Sequence, residues 1–265
     1  MAKYGFPYQG GKQSHADEII NILPKGKILY DLFAGGCAIT HAALLSNKWE
    51  SVIANDLQNT PQLFIDAVAG KYKNEKRWVS REQFHAEKMS DPYIRWIWSF
   101  GNDGKSYIFG KEIEHIKKAA HEYLFGNGYD GTVTTRKKLI NEFKSKENIS
   151  GRFDLQQLEQ LERLQQLEQL EQRLHISALD YQKVKIKPGA VVYCDPPYCH
   201  IKGHKENYYS VGFDSEAFYN WVRENKHPVY FSSSFAPDYF KIVWEKKASC
   251  RMNNKGSAGK KEIFE

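Results

Sequence analysis

Near the N-terminus the spacing of hydrophobic positions switches back and forth between a helical period and a strand period. Apolar residues recur at near-helical intervals from Gln13 to Leu23 and stop at Pro24, which predicts a helix. Lys27 to Phe33 (KILYDLF) reads as a buried strand broken by Gly35 and Gly36, and Ala38 to Leu45 as the next helix. Ser51 to Asn55 predicts another strand, ended by Asp56, and a further helix runs from about Pro61 to Ala69. Strand, glycine turn, helix, strand, acid is how a nucleotide-type α/β sheet begins.

The alternation is lost from Lys71 to about Arg152. That stretch is instead rich in aromatic and basic residues, among them Trp78, Trp96, Trp98, Phe100, Tyr107, Phe109, Arg136, Lys137 and Lys138. It reads as an inserted, mostly helical subdomain. The sheet resumes at Gly189 to Cys194 (GAVVYC), followed by a helix over Asp214 to Glu224 with Asp214 as N-cap, and by a strand over His227 to Ser233. Leucines stand at 155, 158, 161, 164, 167 and 170 with Gln, Glu and Arg between them. A three-residue step carries each leucine about 60° back around a helix axis, so these residues circle the helix and make no heptad seam. The composition favours helix. Two readings stay open: a helix packed partly on the insertion and partly exposed, or a self-association element.

The 265-residue chain carries 38 Lys+Arg against 32 Asp+Glu, a formal charge of +6, with 41% hydrophobic and 26% charged residues. These values exclude a wholly disordered or collagen-like chain. Mean hydropathy is −0.63. No apolar run approaches the ~18 residues of a membrane span, and the first residues lack a signal-peptide core. A cytoplasmic protein without membrane association is therefore expected. Cys37, Cys194, Cys199 and Cys250 show no metal-ligand spacing, so reduced thiols and no metal are expected. A pI near 8.9 is compatible with a polyanionic partner.

Three motifs carry candidate chemistry. Asp195-Pro196-Pro197-Tyr198 closes an apolar strand. Consecutive prolines remove two backbone donors and hold the chain extended, leaving carbonyls free to accept. A flat aromatic amine could then donate one hydrogen to the Asp195 carboxylate and one to the Pro196 carbonyl, with Tyr198 as a stacking face. The second motif is Asp31-Leu32-Phe33-Ala34-Gly35-Gly36-Cys37, with Asp56 at the end of the next strand. Glycines after a buried strand let a cofactor approach the backbone, and the following acid can hold ribose hydroxyls. The order A-G-G-C departs from the dinucleotide G-x-G-x-x-G and fits the looser loop used for an adenosyl group carrying an amino acid. Third, Tyr8-Gln9-Gly10-Gly11-Lys12 sets backbone N–H groups and a cation before a helix, an arrangement suited to a carboxylate.

Taken in order, these motifs resemble the D12 class, or Dam-like group alpha, of DNA adenine N6-methyltransferases. Ser232-Ser233-Ser234 is similar to the family's later serine-bearing strand end, and Arg251 to Glu262 to its basic, glycine-bearing C-terminal loop. The resemblance covers about Phe6 to Gly70 and Ala178 to the end. Tyr8 stands where Trp is frequent, and Gly-Gly-Cys where G-x-G is frequent.

The resemblance implies a Rossmann-like S-adenosylmethionine-dependent methyltransferase sheet, α/β in class, with an inserted helical target-recognition subdomain. Its catalytic domain would span residues 1–70 and 176–265, with the target-recognition region, leucine repeat included, at 71–175. By resemblance Tyr8 and Lys12 contact the methionyl end of S-adenosyl-L-methionine, and Asp31 with Phe33, Ala34, Gly35, Gly36 and Cys37 lines its pocket. Asp56 takes the ribose, and Asp180 and Tyr181 lie near the cofactor adenine. Asp195, Pro196, Pro197 and Tyr198 form the catalytic motif, with Asp195 also at the cofactor. The product would be N6-methyladenine in double-stranded DNA, made on a flipped-out base. The insertion's aromatics and Arg136, Lys137 and Lys138 would supply the DNA grip, in a monomer or weak homodimer. Cytosine N4 methylation, usually with Ser at the first motif position, a catalytically silent DNA-binding protein and a dehydrogenase remain as alternatives.

Overall fold

The computed structural model describes residues 4–8, 10–167, 171–197, 212–234, 236–248 and 259–265. In chain order the elements are α1 (Ala16–Ile22), β1 (Ile28–Asp31), α2 (Ala38–Ser46), β2 (Ser51–Asn55), α3 (Pro61–Val68), α4 (Arg81–Glu87) and α5 (Pro92–Ile97). Next come α6 (Glu114–Gly126), α7 (Val133–Lys146), α8 (Gln156–Gln165), β3 (Leu174–Ser177) and β4 (Ala190–Cys194). The chain closes with α9 (Ser215–Glu224), β5 (Val229–Ser233), β6 (Ile242–Ala248) and β7 (Gly259–Phe264). Contacts divide it into two compact units, a sheet unit of Lys12–Pro61 and Arg173–Glu265 and a helical unit of Gln62–Gln172 joined by residues up to Gly11.

Among the described residues, seven strands of the sheet unit lie in the order β3-β2-β1-β4-β5-β7-β6. Five of them run parallel, and β7 enters antiparallel to both β5 and β6. This is the expected Rossmann-like sheet. β1 and β4 pair in the centre, Ile28 opposite Ala190 and Asp31 opposite Tyr193. Every residue of β4 is buried, as a parallel strand covered on both faces requires, which is why GAVVYC is an unbroken apolar run. The core on one face gathers Leu32, Val192, Phe218, Val222, Phe231 and Phe264. α9 delivers Phe218 and Val222 to it, and the Asp214 carboxylate caps the helix by accepting from the Ala217 N–H at 2.9 Å. Strand order reverses between β1 and β4, so the crevice beyond their carboxyl ends is where an open α/β sheet binds ligands.

In the helical unit the aromatics expected to meet DNA form the core. Trp96, Trp98, Tyr107 and Phe109 are buried, and Trp78 packs on Trp98, Phe109 and His121 with centroids 5.0, 5.7 and 5.4 Å apart. Phe100 is the exception, 63% exposed.

The leucine repeat is likewise interior. Leu155, Leu158, Leu161, Leu164 and Leu167 are all buried, as are Gln157, Gln160 and Glu162 between them. Leucines that circle the axis bury α8 on most of its circumference, while Gln156 is exposed and Glu159, Arg163 and Gln165 are half-buried, so the helix is packed on its unit along one part and open along another; Leu170 lies outside the described residues. Among the described residues no helix is long and apolar enough to cross a membrane.

Candidate active site

β1 ends at Asp31, whose carboxylate is buried. Its Oδ2 accepts from the Thr40 N–H at 3.1 Å and the Thr40 hydroxyl at 2.7 Å, both on the first turn of α2. Burial pushes the Asp31 pKa up to about 7; the Thr40 bonds oppose the shift, and the charges of Asp195 and Asp56 add to it. Three carboxylates thus feel one another at the end of the central strands.

The loop after β1 turns through left-handed backbone at Gly35 (φ +47) and again at Cys37 (φ +56), a conformation that glycine adopts freely and cysteine does not. The Cys37 N–H donates to the Ala34 carbonyl at 2.7 Å and the Ala34 N–H to the Asn55 carbonyl at 3.0 Å, which ties the loop to β2. Asp56 completes the tie, with Oδ2 accepting from the Gly35 N–H and Oδ1 from the Gln58 N–H, each at 2.9 Å. The acid predicted to hold a ribose therefore also shapes the glycine loop. Burial holds the Cys37 and Cys194 thiols well above their ordinary range, so both are neutral and unreactive; Cys199 and Cys250 lie outside the described residues.

Asp195 follows β4 directly, across the reversal point from Asp31. Both of its oxygens accept from the Lys12 ammonium, and the two side chains are 17% and 7% exposed. Lys12 sits in the turn before α1, where its carbonyl accepts from the His15 N–H at 2.9 Å; that turn delays the helix from the expected Gln13 to Ala16. The structure pairs Lys12 with the acid of the third motif. Pro196 is buried and Pro197 half-buried, while Tyr198, like Gln9, lies outside the described residues.

Beside the glycine loop stands an aromatic wall. Phe33 packs on Tyr181 with centroids 5.3 Å apart and on Phe213 at 5.9 Å, and Tyr181 meets Trp221 edge-on at 5.1 Å. Phe33 and Tyr181 stay half-buried, so part of each ring is open. Asp180 caps the short turn Tyr181–Lys183, its Oδ1 accepting from the Gln182 N–H at 2.9 Å. At the strand end after β5, Ser232 and Ser233 are buried, Ser232 sharing a 2.6 Å hydrogen bond with the Tyr193 hydroxyl, and Ser234 is exposed.

Two supporting residues escaped the sequence reading. Thr40 supplies both donors to Asp31. Asn55 binds the main chain on both sides of β2: its Nδ2 donates to the Leu32 and Leu179 carbonyls at 3.1 and 2.9 Å, and its Oδ1 accepts from the Ser177 hydroxyl and the Leu179 N–H at 2.7 and 3.0 Å. A buried amide just before the acid that ends a strand was the available signal.

Tyr8 and the basic trio belong to the helical unit. Tyr8 meets Trp96 edge-on at 5.4 Å. Arg136 corrects the expectation of a phosphate grip: it is buried, with Nη1 2.7 Å from Glu159 and Nε 3.1 Å from Glu162. Its charge is satisfied inside the unit. Lys137 and Lys138 are exposed, the Lys138 ammonium 3.9 Å from the Glu142 carboxylate on the same helix.

Residues 8–220 match the D12 class N6 adenine-specific DNA methyltransferase family. The chain belongs to that family. The match runs from the first glycine motif into α9 and agrees with the order of motifs in the sequence. As a D12 methyltransferase the protein is an adenine-specific DNA methyltransferase, with DNA as its substrate and a methyl donor as its second reactant. Among solved structures, a candidate methylase of Haemophilus influenzae is similar at 9% identity over 96% of this chain and 94% of that one, with a TM-score of 0.33, a likeness that adds nothing about the site. No curated protein matches.

Proposed function

We propose that this D12 methyltransferase transfers a methyl group from S-adenosyl-L-methionine to N6 of an adenine flipped out of duplex DNA, with Asp195 as the residue that engages the amine. The observation that carries the reading is the Asp195 carboxylate at the carboxyl end of a central strand, held by Lys12 and followed by two prolines.

The donor set suits an adenosyl cofactor. Asp56 stands at the end of β2, bonded to the Gly35 N–H of the glycine loop and to the Gln58 N–H beyond the strand, which is the position from which an acid meets a ribose in this kind of sheet. The open faces of Phe33 and Tyr181 offer apolar area to a purine. Ala34, Gly35, Gly36 and Cys37 form the loop that follows Phe33; Asp31 fixes the start of α2 beyond that loop, and Asp180 caps the turn that carries Tyr181. Tyr8 is assigned to the methionyl end by resemblance. Lys12 we assign first to Asp195, because its ammonium contacts both carboxylate oxygens.

When bound, the cofactor supplies an electrophilic methyl on a sulfonium that leaves as a neutral thioether. Adenine N6 is a weak nucleophile because its lone pair is delocalised into the ring. Asp195 and the Pro196 carbonyl, accepting one amine hydrogen each, favour the pyramidal nitrogen and orient its lone pair for in-line attack. The N–C bond forms as the S–C bond breaks, and the proton leaves the nitrogen afterwards, so Asp195 need not abstract it first. A base inside the duplex cannot present this amine to a buried centre, hence the flipped target. Tyr198 is the stacking partner by resemblance.

Incubation with labelled S-adenosyl-L-methionine and unmethylated DNA, followed by nucleoside mass spectrometry, tests the reading. N6-methyladenine is expected. N4-methylcytosine would move the chemistry to the other exocyclic amine, and cofactor binding without any labelled nucleoside would refute the assignment of Asp195.

A further inference from the structure

Within the helical unit, a cleft of about 260 Å³ lies between the loop after α5 and the start of α8, and its walls include Phe100, Asn102, Gln156, Glu159, Gln160 and Arg163. We propose that this cleft reads a base of the DNA target, with Phe100 stacking on the ring and Arg163 and Gln156 hydrogen-bonding to its edge. The proposal rests on DNA being the substrate and assigns the residues that set sequence preference.

The wall that carries Phe100 is rigid. Ser99 bridges Tyr107 in antiparallel fashion, the Phe100 N–H donates to the Ser106 carbonyl at 2.8 Å, and the Ile108 N–H to the Trp98 carbonyl at 3.0 Å, which makes a closed hairpin loop. Its tip turns through left-handed backbone at Gly101 (φ +60) and Asn102 (φ +57). The Asn102 amide then fastens it, donating to the Trp96 carbonyl at 2.7 Å and to Gln160 Oε1 at 2.9 Å, with Gln160 Nε2 donating back to Asn102 Oδ1 at 3.4 Å. A buried amide pair thus locks the hairpin onto α8 while leaving the Phe100 ring 63% exposed. Burying this aromatic was the cheaper outcome for folding alone.

The cleft also gathers side chains that are not engaged elsewhere in the unit. Gln156, Gln160 and Arg163 follow i, i+4, i+7 spacing and share one face of α8. Glu159 is already engaged by Arg136 at 2.7 Å. The Gln156 amide and the Arg163 guanidinium make no hydrogen bond or ion pair within the described residues. An unengaged guanidinium, an amide with both a donor and an acceptor, and an open aromatic face converge on one cleft, which is the set that recognises base edges and rings. Phosphate fits poorly, since it offers no face to Phe100 and meets the Glu159 carboxylate, 46% exposed, at the same place.

A selection from random duplex DNA, with bound sequences and methylated products both sequenced, tests the proposal for wild type and for Phe100→Ala, Gln156→Ala and Arg163→Ala. The Gln156 and Arg163 variants are expected to relax preference at one or two base-pair positions by roughly ten- to a hundred-fold. Cofactor affinity, thermal midpoint and the salt dependence of DNA binding should stay as in wild type. Phe100→Ala is expected to weaken binding of the preferred sequence while sparing random sequence. An unchanged sequence profile overturns the proposal. So does uniform weakening with a salt slope reduced by about 0.9, the signature of a lost phosphate contact. Methylation of cytosine in place of adenine would sink the reading of the catalytic site and still leave base preference legible in the same experiment.

Discussion

Replacing Arg136 with alanine separates a structural cation from a DNA-binding one. The guanidinium is buried and bridges Glu159 on one side and Glu162 on the other. The Glu159 pair is half in solvent and is worth about 0–1 kcal/mol. Glu162, 4% exposed, is different: without Arg136 its carboxylate keeps the Tyr129 hydroxyl at 2.6 Å but loses its counter-charge. Stranding a buried charge costs roughly 3–5 kcal/mol. Burial already holds the Glu162 carboxyl above its ordinary range, so the variant can relieve part of that penalty by protonation, and the loss should be smaller at pH 5 than at pH 8. Urea unfolding followed by tryptophan fluorescence reads the loss, since Trp78 and Trp98 lie in the same unit. Arg136→Ala/Glu162→Gln should recover part of it by removing the stranded charge. The salt slope of DNA binding should not change. A variant as stable as wild type with a slope smaller by about 0.9 would refute the reasoning and return Arg136 to the DNA surface.

Further outcomes follow from the same geometry. Lys12→Met should lower single-turnover methyl transfer about a hundred-fold through misplacement of Asp195, with a smaller change in cofactor affinity; a defect confined to cofactor binding would assign Lys12 to the cofactor instead. Burial depresses His41 and His121 from 6.5 to about 4, so the unfolded chain takes up their protons first as pH falls below 6.5, and the unfolding free energy should drop by about 3 kcal/mol per histidine by pH 4. His121→Phe should flatten that decline, and an unaltered pH profile would show that the ring is not held neutral. Asp31, raised from 3.8 to about 7, works in the opposite sense: its contribution is largest at low pH and fades as pH rises through 7. Asp31→Asn should accordingly gain stability relative to wild type at pH 8, measured by the same unfolding curves; a loss at pH 8 would mean the Thr40 bonds require the carboxylate.

Elements with a one-dimensional signature were legible in the sequence. β4 is apolar throughout because both faces are covered, β2 was delimited correctly by its pattern, and Asp214 declared its own helix N-terminus. β3, β6 and β7 were not recognised. β3 (LHIS) is a short edge strand with one fully buried residue, and β6 pairs along a charged strand, GKKEIF, so cross-strand pairing defines them more than local hydrophobicity does. β7 overlaps the stretch expected to be a basic loop; Arg251 to Ala258 lies outside the described residues.

At the site, Asp31, Asp56 and Asp195 were found from strand ends and glycines. What the sequence hid was pairing over long separations: Lys12 with Asp195, Asn55 with Leu179, Arg136 with Glu162. The aromatics of the insertion misled for a related reason. Richness in Trp and Phe fits a stacking surface or a core equally well, and only the fold separated Phe100 from the rest.

The most direct test of the account is single-turnover methylation of duplex DNA by Asp195→Ala, with S-adenosyl-L-methionine affinity and the thermal midpoint measured on the same sample. The account predicts loss of N6-methyladenine formation in a folded protein that still binds its cofactor. Methyl transfer at the wild-type rate would contradict it.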